Sequence, residues 1–428
     1  MLSPQERKQR IIDEIKISQV VDVRDYGSST CPCCGKSNKF SIQANRGKCW
    51  SSYCELNKSL DVISLYQWKH NLADRWEATK AIEQEFGLVV GSNKPNERSQ
   101  LLEKCLDIYY DYLWYSSEGE QALSYLKNRG FLDSTIKDLK IGYAPNFSCL
   151  TNKGVKAYDL QKEGLYNEGK EYYSKRIILP IRNIFGHLVH FQGRYIFPIT
   201  KDDKGEDTIC KYKDSKLAQG KTTKDYLALE DKLNSYSKEQ KTLYIAEGYP
   251  DTISLWQRGL PVVGSLGLEK LTVHFNKLKK FTNIVFMFDN DTYPANHPKY
   301  PLEYKSWIRV IPQLIDLQIA LPHVNFYICL VPQHTLHKVD KYAVETKDIN
   351  EWVMVGQLTG DEVKAYIAKK QTEFVSFLVS QWGSDTSHHF SLLKLIQATG
   401  KTHLKQELLK YIPSSKSPID YACEVLAA

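Results

Sequence analysis

No stretch of this 428-residue chain approaches the roughly 18 consecutive apolar residues of a membrane span, and no apolar core follows the amino-terminal Met1-Leu-Ser-Pro-Gln-Glu-Arg-Lys-Gln-Arg. A spanning helix and a secretory leader are therefore not expected, and the chain reads as a soluble, cytoplasmic protein with no membrane partner. Neither sign of charge dominates: 57 Lys and Arg stand against 50 Asp and Glu, a net charge of +7. That balance permits a nucleic-acid partner without requiring one. A disulfide framework is also missing. Of ten cysteines, five fall between positions 31 and 54, and Cys105, Cys149, Cys210, Cys329 and Cys423 are scattered. The chain is large for a stapled fold, so a reducing compartment fits better. Gly400-Lys-Thr402 is not a phosphate-binding loop, because Leu395 stands where the first Gly is needed and no strand precedes it.

What is present is an acidic block between Thr242 and Glu351. Leu243-Tyr-Ile-Ala-Glu247-Gly-Tyr-Pro-Asp251 and Ile284-Val-Phe-Met-Phe-Asp289-Asn-Asp291 follow one plan, a short apolar run that ends in carboxylates. Such runs suit buried parallel strands. Between them lie a helical stretch over 252–258, an apolar run at Pro261-Val-Val-Gly264, and a helix expected over 268–280. Strand, helix, strand, helix, strand predicts a right-handed parallel α/β unit, with its ligand site beyond the carboxyl ends of the strands. Glu247, Asp289 and Asp291 would lie there, and Lys347-Asp348-Ile-Asn350-Glu351 adds another acid. Asp-Asn-Asp alone could be a solvated turn. Several converging carboxylates repel one another unless a cation holds them together, and Asp at i and i+2 with a Glu suits an oxygen-ligated Mg²⁺ or Mn²⁺.

The amino-terminal cysteines form two pairs, Cys31-Pro-Cys33-Cys34 and Cys49-Trp-Ser-Ser-Tyr-Cys54, fourteen residues apart. Phe40-Ser-Ile-Gln and Gly47-Lys-Cys-Trp between them read as antiparallel strands. The arrangement predicts a zinc ribbon with Cys31, Cys34, Cys49 and Cys54 around one structural Zn²⁺, a closed site that does no chemistry. Cys33, inside the first pair, could replace a neighbour. Lys36, Lys39, Arg46, Lys48, Trp50 and Tyr53 suggest a rim for single-stranded DNA, or an ordinary solvated surface. A helix start at Ser3-Pro4 precedes the ribbon, with Ile11, Ile12 and Ile15 on one face, and amphipathic helices from Leu60 to Phe86 follow it.

Taken together, these residues resemble a DnaG-type DNA primase of bacteria and their phages. Glu247-Gly-Tyr-Pro-Asp251, Asp289-Asn-Asp291 and Lys-Asp348-Ile-Asn350 look like the acidic motifs of a Toprim domain. Arg176-Ile-Ile-Leu-Pro-Ile-Arg182-Asn-Ile-Phe-Gly186 and its continuation to Gly193-Arg194, read as a hairpin, match the family's two strands before Gly-Arg; Lys211-Tyr212-Lys213 follows. The resemblance covers about residues 5–360. It implies an α/β fold: a zinc-ribbon DNA-binding domain over 1–86, a linker over 87–99, a mixed α+β basic subdomain over 100–240, a Toprim parallel sheet over 241–356, and carboxy-terminal helices over 357–428.

The resemblance further implies synthesis of short RNA primers on single-stranded DNA from ribonucleoside triphosphates, by nucleotidyl transfer on two or more Mg²⁺ or Mn²⁺ ions. Glu247, Asp289, Asp291 and Asp348 would be ion ligands, and Asp251 would act from the first turn of its helix. Arg176, Arg182, Arg194, Lys211 and Lys213 would bind template and nucleotide, with Lys221 or Lys224 as a further base. A separately encoded replicative helicase is the expected partner, since residues 414–428 read as a tail too short for a helicase-binding domain. Three departures stand out. Cys34 occupies a place the family usually gives to His, and the second cysteine pair is longer by two. Asn350 replaces an Asp, as in phage primases. A Pro- and Tyr-rich insertion at 292–305 is expected to overhang the site. A Toprim nuclease and a non-catalytic single-strand-binding replication protein are the alternatives; the first would cut DNA without nucleotides, and the second would be indifferent to metal.

Overall fold

The computed structural model describes residues 4–24, 28–43, 45–86, 97–201, 208–214, 225–268, 271–289, 305–331, 337–339, 342–344, 348–383 and 388–411. Asp291, Lys221, Lys224, the insertion from 292 to 304 and the tail from 412 onward lie outside them. The chain forms two compact units, Met1–Lys232 with Val273–Lys277, and Leu233–Thr272 with Leu278–Ala428. Among the described residues no helix is long and apolar enough to cross a membrane.

In the first unit, helix α1 (Pro4–Glu14) buries Ile11, and Ile15 just past its end is buried as well. Strands β1 (Phe40–Gln43) and β2 (Arg46–Cys49) pair antiparallel between the cysteine knuckles, as their sequence predicts. Gly47 is required there, because a Cβ at that position would stand 2.5 Å from the Phe40 ring. Helices α2 (Val62–Lys69) and α3 (Arg75–Glu85) close the module. Asp61 caps α2 by accepting from the Ser64 amide at 2.9 Å, and the Arg75 guanidinium grips the same carboxylate. The Arg7 guanidinium donates to Glu83 Oε1 at 2.8 Å and lies 4.3 Å over the Trp76 ring, which ties α1 to α3. These pairs surround one buried cluster that includes Ile11, Val20, Phe40, Leu56, Leu65 and Ile82.

After the segment 87–96, helix α4 (Glu97–Tyr115) takes in the last three residues of the expected linker. It packs on an antiparallel sheet built from β3 (Gly142–Ala144), β4 (Arg176–Arg182), β5 (Leu188–Tyr195) and β6 (Tyr212–Asp214), in the order β6-β5-β4-β3. The hairpin register runs from Arg176↔Tyr195 to Arg182↔Leu188, with an irregularity at Ile181/Arg182. Its turn is made by Asn183, whose side-chain oxygen accepts from the Phe185 and His187 amides.

The second unit carries the parallel sheet. Strand β7 (Thr242–Ala246) leads into helix α5 (Tyr249–Trp256), then β8 (Val262–Gly264), β9 (Asn283–Met287), helix α6 (Lys305–Ala320) and β10 (Asn325–Ile328). Helices α7 (Ile349–Val355) and α8 (Gly360–Lys370), the short β11 (Thr372–Glu373), and helices α9 (Phe374–Trp382), α10 (His389–Thr399) and α11 (Leu404–Leu409) follow. The order β8-β7-β9-β10-β11 is parallel throughout except at the β11 edge. Alternate strand residues serve two buried faces. Ala246, Val285 and Met287 pack with Leu255, Ile349, Trp352 and Ile367 from α5, α7 and α8. Phe286 meets Phe326 at 5.1 Å, and Phe288 meets Trp307 of α6 at 5.1 Å. Instead of one helix over 268–280, the chain makes a 3₁₀ turn at Leu271–His274 and a single helical turn at Phe275–Leu278. Its middle, Val273–Lys277, belongs to the first unit, where buried Lys277 pairs with Glu230 at 2.7 Å.

Candidate active site and metal centre

The thiols of Cys31, Cys34, Cys49 and Cys54 converge, with every sulfur within 4.8 Å of the others. Cys31 and Cys54 are 3.7 Å apart, and Cys34 and Cys49 are 3.8 Å apart. A tetrahedron of zinc–sulfur bonds of about 2.3 Å has edges of about 3.8 Å, so the spacing fits Zn²⁺. Cys33 is not among the four sulfurs, which answers the question its position raises. The Lys36 amide draws the Cys34 thiol down to about 7, whereas burial pushes Cys49 and Cys54 up. A cation in the centre favours the thiolate at all four. Beside the knuckles, Trp50 is 61 % exposed and Tyr53 97 % exposed, with the Lys48 ammonium 4.5 Å over the Trp50 ring.

In the second unit, Ala246 pairs with Met287, so Glu247 and Asp289 both stand just past the carboxyl ends of adjacent parallel strands. The turn from β7 into α5 is sharp. Gly248 takes an extended conformation and Pro250 opens the helix. A Cβ on Gly248 would come 2.9 Å from Asp251 Oδ2. Ser265, after β8, donates its amide to the Ala246 carbonyl at 2.9 Å and its hydroxyl toward the Glu247 carbonyl at 3.4 Å. This brace on the Glu247 peptide was missed in the sequence; the signal for it is a Ser directly after the Val262–Gly264 run. Asp348 caps α7, its Oδ1 accepting from the Glu351 amide at 2.7 Å. Asp251 is buried and accepts from the Asn350 amide at 3.0 Å. Among the described residues no three of these acids close to the 4.8 Å spacing of the thiols. Asp291 lies outside the described residues.

Residues 109–220 match the family described as the amino-terminal domain of the DNA primase catalytic core, and residues 244–293 match the family described as Toprim-like. A DNA primase of Staphylococcus epidermidis is 27 % identical over 322 residues, 66 % of this chain and 52 % of that protein. In both matched segments the chain is similar to DnaG-type primases. Among solved structures, the zinc-binding and RNA polymerase domains of the Aquifex aeolicus primase align with a TM-score of 0.57 at 19 % identity, covering 98 % of this chain and 99 % of that one. A DnaG primase catalytic domain bound to single-stranded DNA aligns with a TM-score of 0.56 at 20 % identity, over 74 % and 95 % of the two chains. These structures share the fold. The chain spans about half the length of the curated primase it matches.

The bases expected to serve the site differ in what holds them. Arg176 is buried, and its guanidinium donates to the carbonyls of Gly193 at 3.1 Å, Lys211 at 3.2 Å and Cys210 at 2.7 Å. It braces β5 to the segment just before β6. Arg182 is held by Glu103, donating to both carboxylate oxygens and to the Gly186 carbonyl. Arg194 is half-buried, donates to the Tyr125 hydroxyl at 3.1 Å and lies 4.6 Å over the Tyr212 ring. Lys213 donates to the Tyr172 carbonyl at 2.8 Å, and Lys211 is exposed. Of the five, Lys211 is exposed, Arg182, Arg194 and Lys213 are half-buried, and Arg176 is buried.

Proposed function

We propose that this chain is a DNA-directed RNA polymerase of the primase type, making short RNA primers on single-stranded DNA for DNA replication. The observation that carries the reading is the pairing of Ala246 with Met287, which sets Glu247 and Asp289 at neighbouring strand ends inside the Toprim-like match. Glu247, Asp289, Asp291 and Asp348 would hold two or more Mg²⁺ or Mn²⁺ ions. Such ions, when bound, lower the pKa of the initiating hydroxyl and neutralise the leaving pyrophosphate.

The chain's own groups do the rest. Asp348 uses Oδ1 for the α7 cap, and its Oδ2 would be the oxygen that meets an ion. Arg194, Lys211 and Lys213 take phosphates of template and ribonucleoside triphosphates, while Arg176 and Arg182 keep the hairpin rigid. The ribbon, with one structural Zn²⁺ on Cys31, Cys34, Cys49 and Cys54, presents Trp50 and Tyr53 for stacking on unpaired bases. A structural neighbour that binds single-stranded DNA supports this choice of template. A separately encoded replicative helicase would deliver that strand.

The test uses the whole protein, a mixed-sequence single strand, Mg²⁺ or Mn²⁺, and labelled ribonucleotides. Short labelled products, lost in Asp289→Ala, are expected. Cleaved template without products would replace this reading with a nuclease.

A further inference from the structure

Two residues of the acidic motifs point away from the job their neighbours hold. Asp251 is 7 % exposed and Asn350 2 % exposed. Asp251 Oδ1 accepts from the Asn350 amide at 3.0 Å, and the Asn350 carboxamide nitrogen donates to Ser254 Oγ at 2.8 Å. Ser254 in turn donates to the Pro250 carbonyl at 3.0 Å. Helices α5 and α7 therefore lie side by side with their first turns bonded. They are bonded again at the far end, where Arg258 Nε donates to the Leu358 carbonyl at 2.6 Å and its NH1 to the Ser254 carbonyl at 3.1 Å. The two helices run in the same direction, and each is preceded by an acid: Glu247 before α5, and Asp348 as the cap of α7.

We infer that Asp251 and Asn350 are positioning residues, a clamp that sets where Asp348 stands relative to Glu247, and that neither ligates the divalent ions. The inference rests on the ion site proposed above. The clamp gives a reason for the neutral amide in Asp348-Ile-Asn350. A carboxylate at 350 would be buried on the residue whose backbone amide Asp251 Oδ1 already accepts, and two such charges without a cation between them repel. The amide meets the same neighbours without charge and donates to Ser254. Rotation of α7 about its axis would swing the Asp348 cap with it, so the bonds from Asp251 and Ser254 act on the ion site through Asp348.

The experiment titrates Mn²⁺ into the full chain, following the free ion by electron paramagnetic resonance, with the thermal midpoint measured alongside. Asp251→Asn keeps the oxygen that accepts the Asn350 amide. It should fold and hold Mn²⁺ within about threefold of the parent, while Asp251→Ala, which removes the acceptor, should weaken binding by about tenfold or more, as loss of an outer support does. Asn350→Asp should lower the thermal midpoint without tightening Mn²⁺ binding or adding an ion. A tenfold loss in Asp251→Asn equal to that in Asp289→Ala, or an additional or tighter ion in Asn350→Asp, overturns the clamp and leaves the ion site standing. If the parent protein binds no Mn²⁺, both fall. Should Asp251→Ala fail to fold, Asp251→Asn and Asn350→Asp decide by themselves.

Discussion

Cys33 differs from its four neighbours in where its sulfur lies, outside the group that converges within 4.8 Å. Loss of one ligand from a closed site removes the metal and the knuckle geometry it holds, since metal binding and local folding are coupled. Cys54→Ser should therefore lose its zinc, read with a chromogenic chelator, together with the ellipticity of the ribbon. Cys33→Ser should keep about one zinc per chain, as a closed four-thiolate site requires. Spacing made the four ligands legible in the sequence, since thiolates two to four residues apart can reach one ion. The basic residues were less legible. Arg176 and Lys211 look alike as letters, yet one is buried with three carbonyls on its guanidinium and the other is exposed. The clue was the apolar run that follows Arg176. A strand without polar alternation is buried on both faces, so a cation at its start is drawn into the layer as well.

At the scale of elements, the parallel strands were readable because short β-branched runs end where the carboxylates begin. The expected helix over 268–280 was not, because its sequence is helical by periodicity while its middle residues are drawn into the other unit by Lys277. Strand β5 supplies a test of how tightly the first unit is packed. His190 is fully buried, and burial, with Arg98 nearby, pulls its pKa down to about 3 from the usual 6.5. The folded state thus keeps the ring neutral across a range where the unfolded chain binds a proton. Stability from this group is complete above pH 6.5 and is lost as the pH falls from there toward 3. Relative to pH 8, the loss should reach about 2 kcal/mol at pH 5. Urea unfolding at the two pH values should show the parent losing that much more than His190→Gln, whose side chain does not titrate. Equal losses would mean that the ring reaches solvent or a proton acceptor in the folded state.

The whole molecule is threaded so that the second unit's sequence returns briefly to the first. Residues Val273–Lys277 leave one unit, complete the other, and lead back into β9. What fixes the visit is the Lys277–Glu230 pair, with both side chains at most 3 % exposed. Glu230 also accepts from the Ile184 and Leu227 amides at 3.1 and 2.9 Å, so one carboxylate joins the hairpin turn, the segment before β7 and the returning chain. Burial raises the Glu230 pKa, which the Lys277 ammonium opposes. Removing one charge of such a pair strands the other, at a cost of about 3–5 kcal/mol. Lys277→Met should lose that much in equilibrium unfolding of the first unit. Adding Glu230→Gln should return part of it, because the amide carries no charge and still offers one oxygen to an amide donor. The deficit of Lys277→Met should also shrink as the pH is lowered. The stranded carboxyl has a folded pKa above its unfolded value, so it destabilises most where it is ionised and least where it is protonated. If the single and double variants were equally unstable at every pH, packing of the lysine stem, and not the charge, would be what holds the returning segment in place.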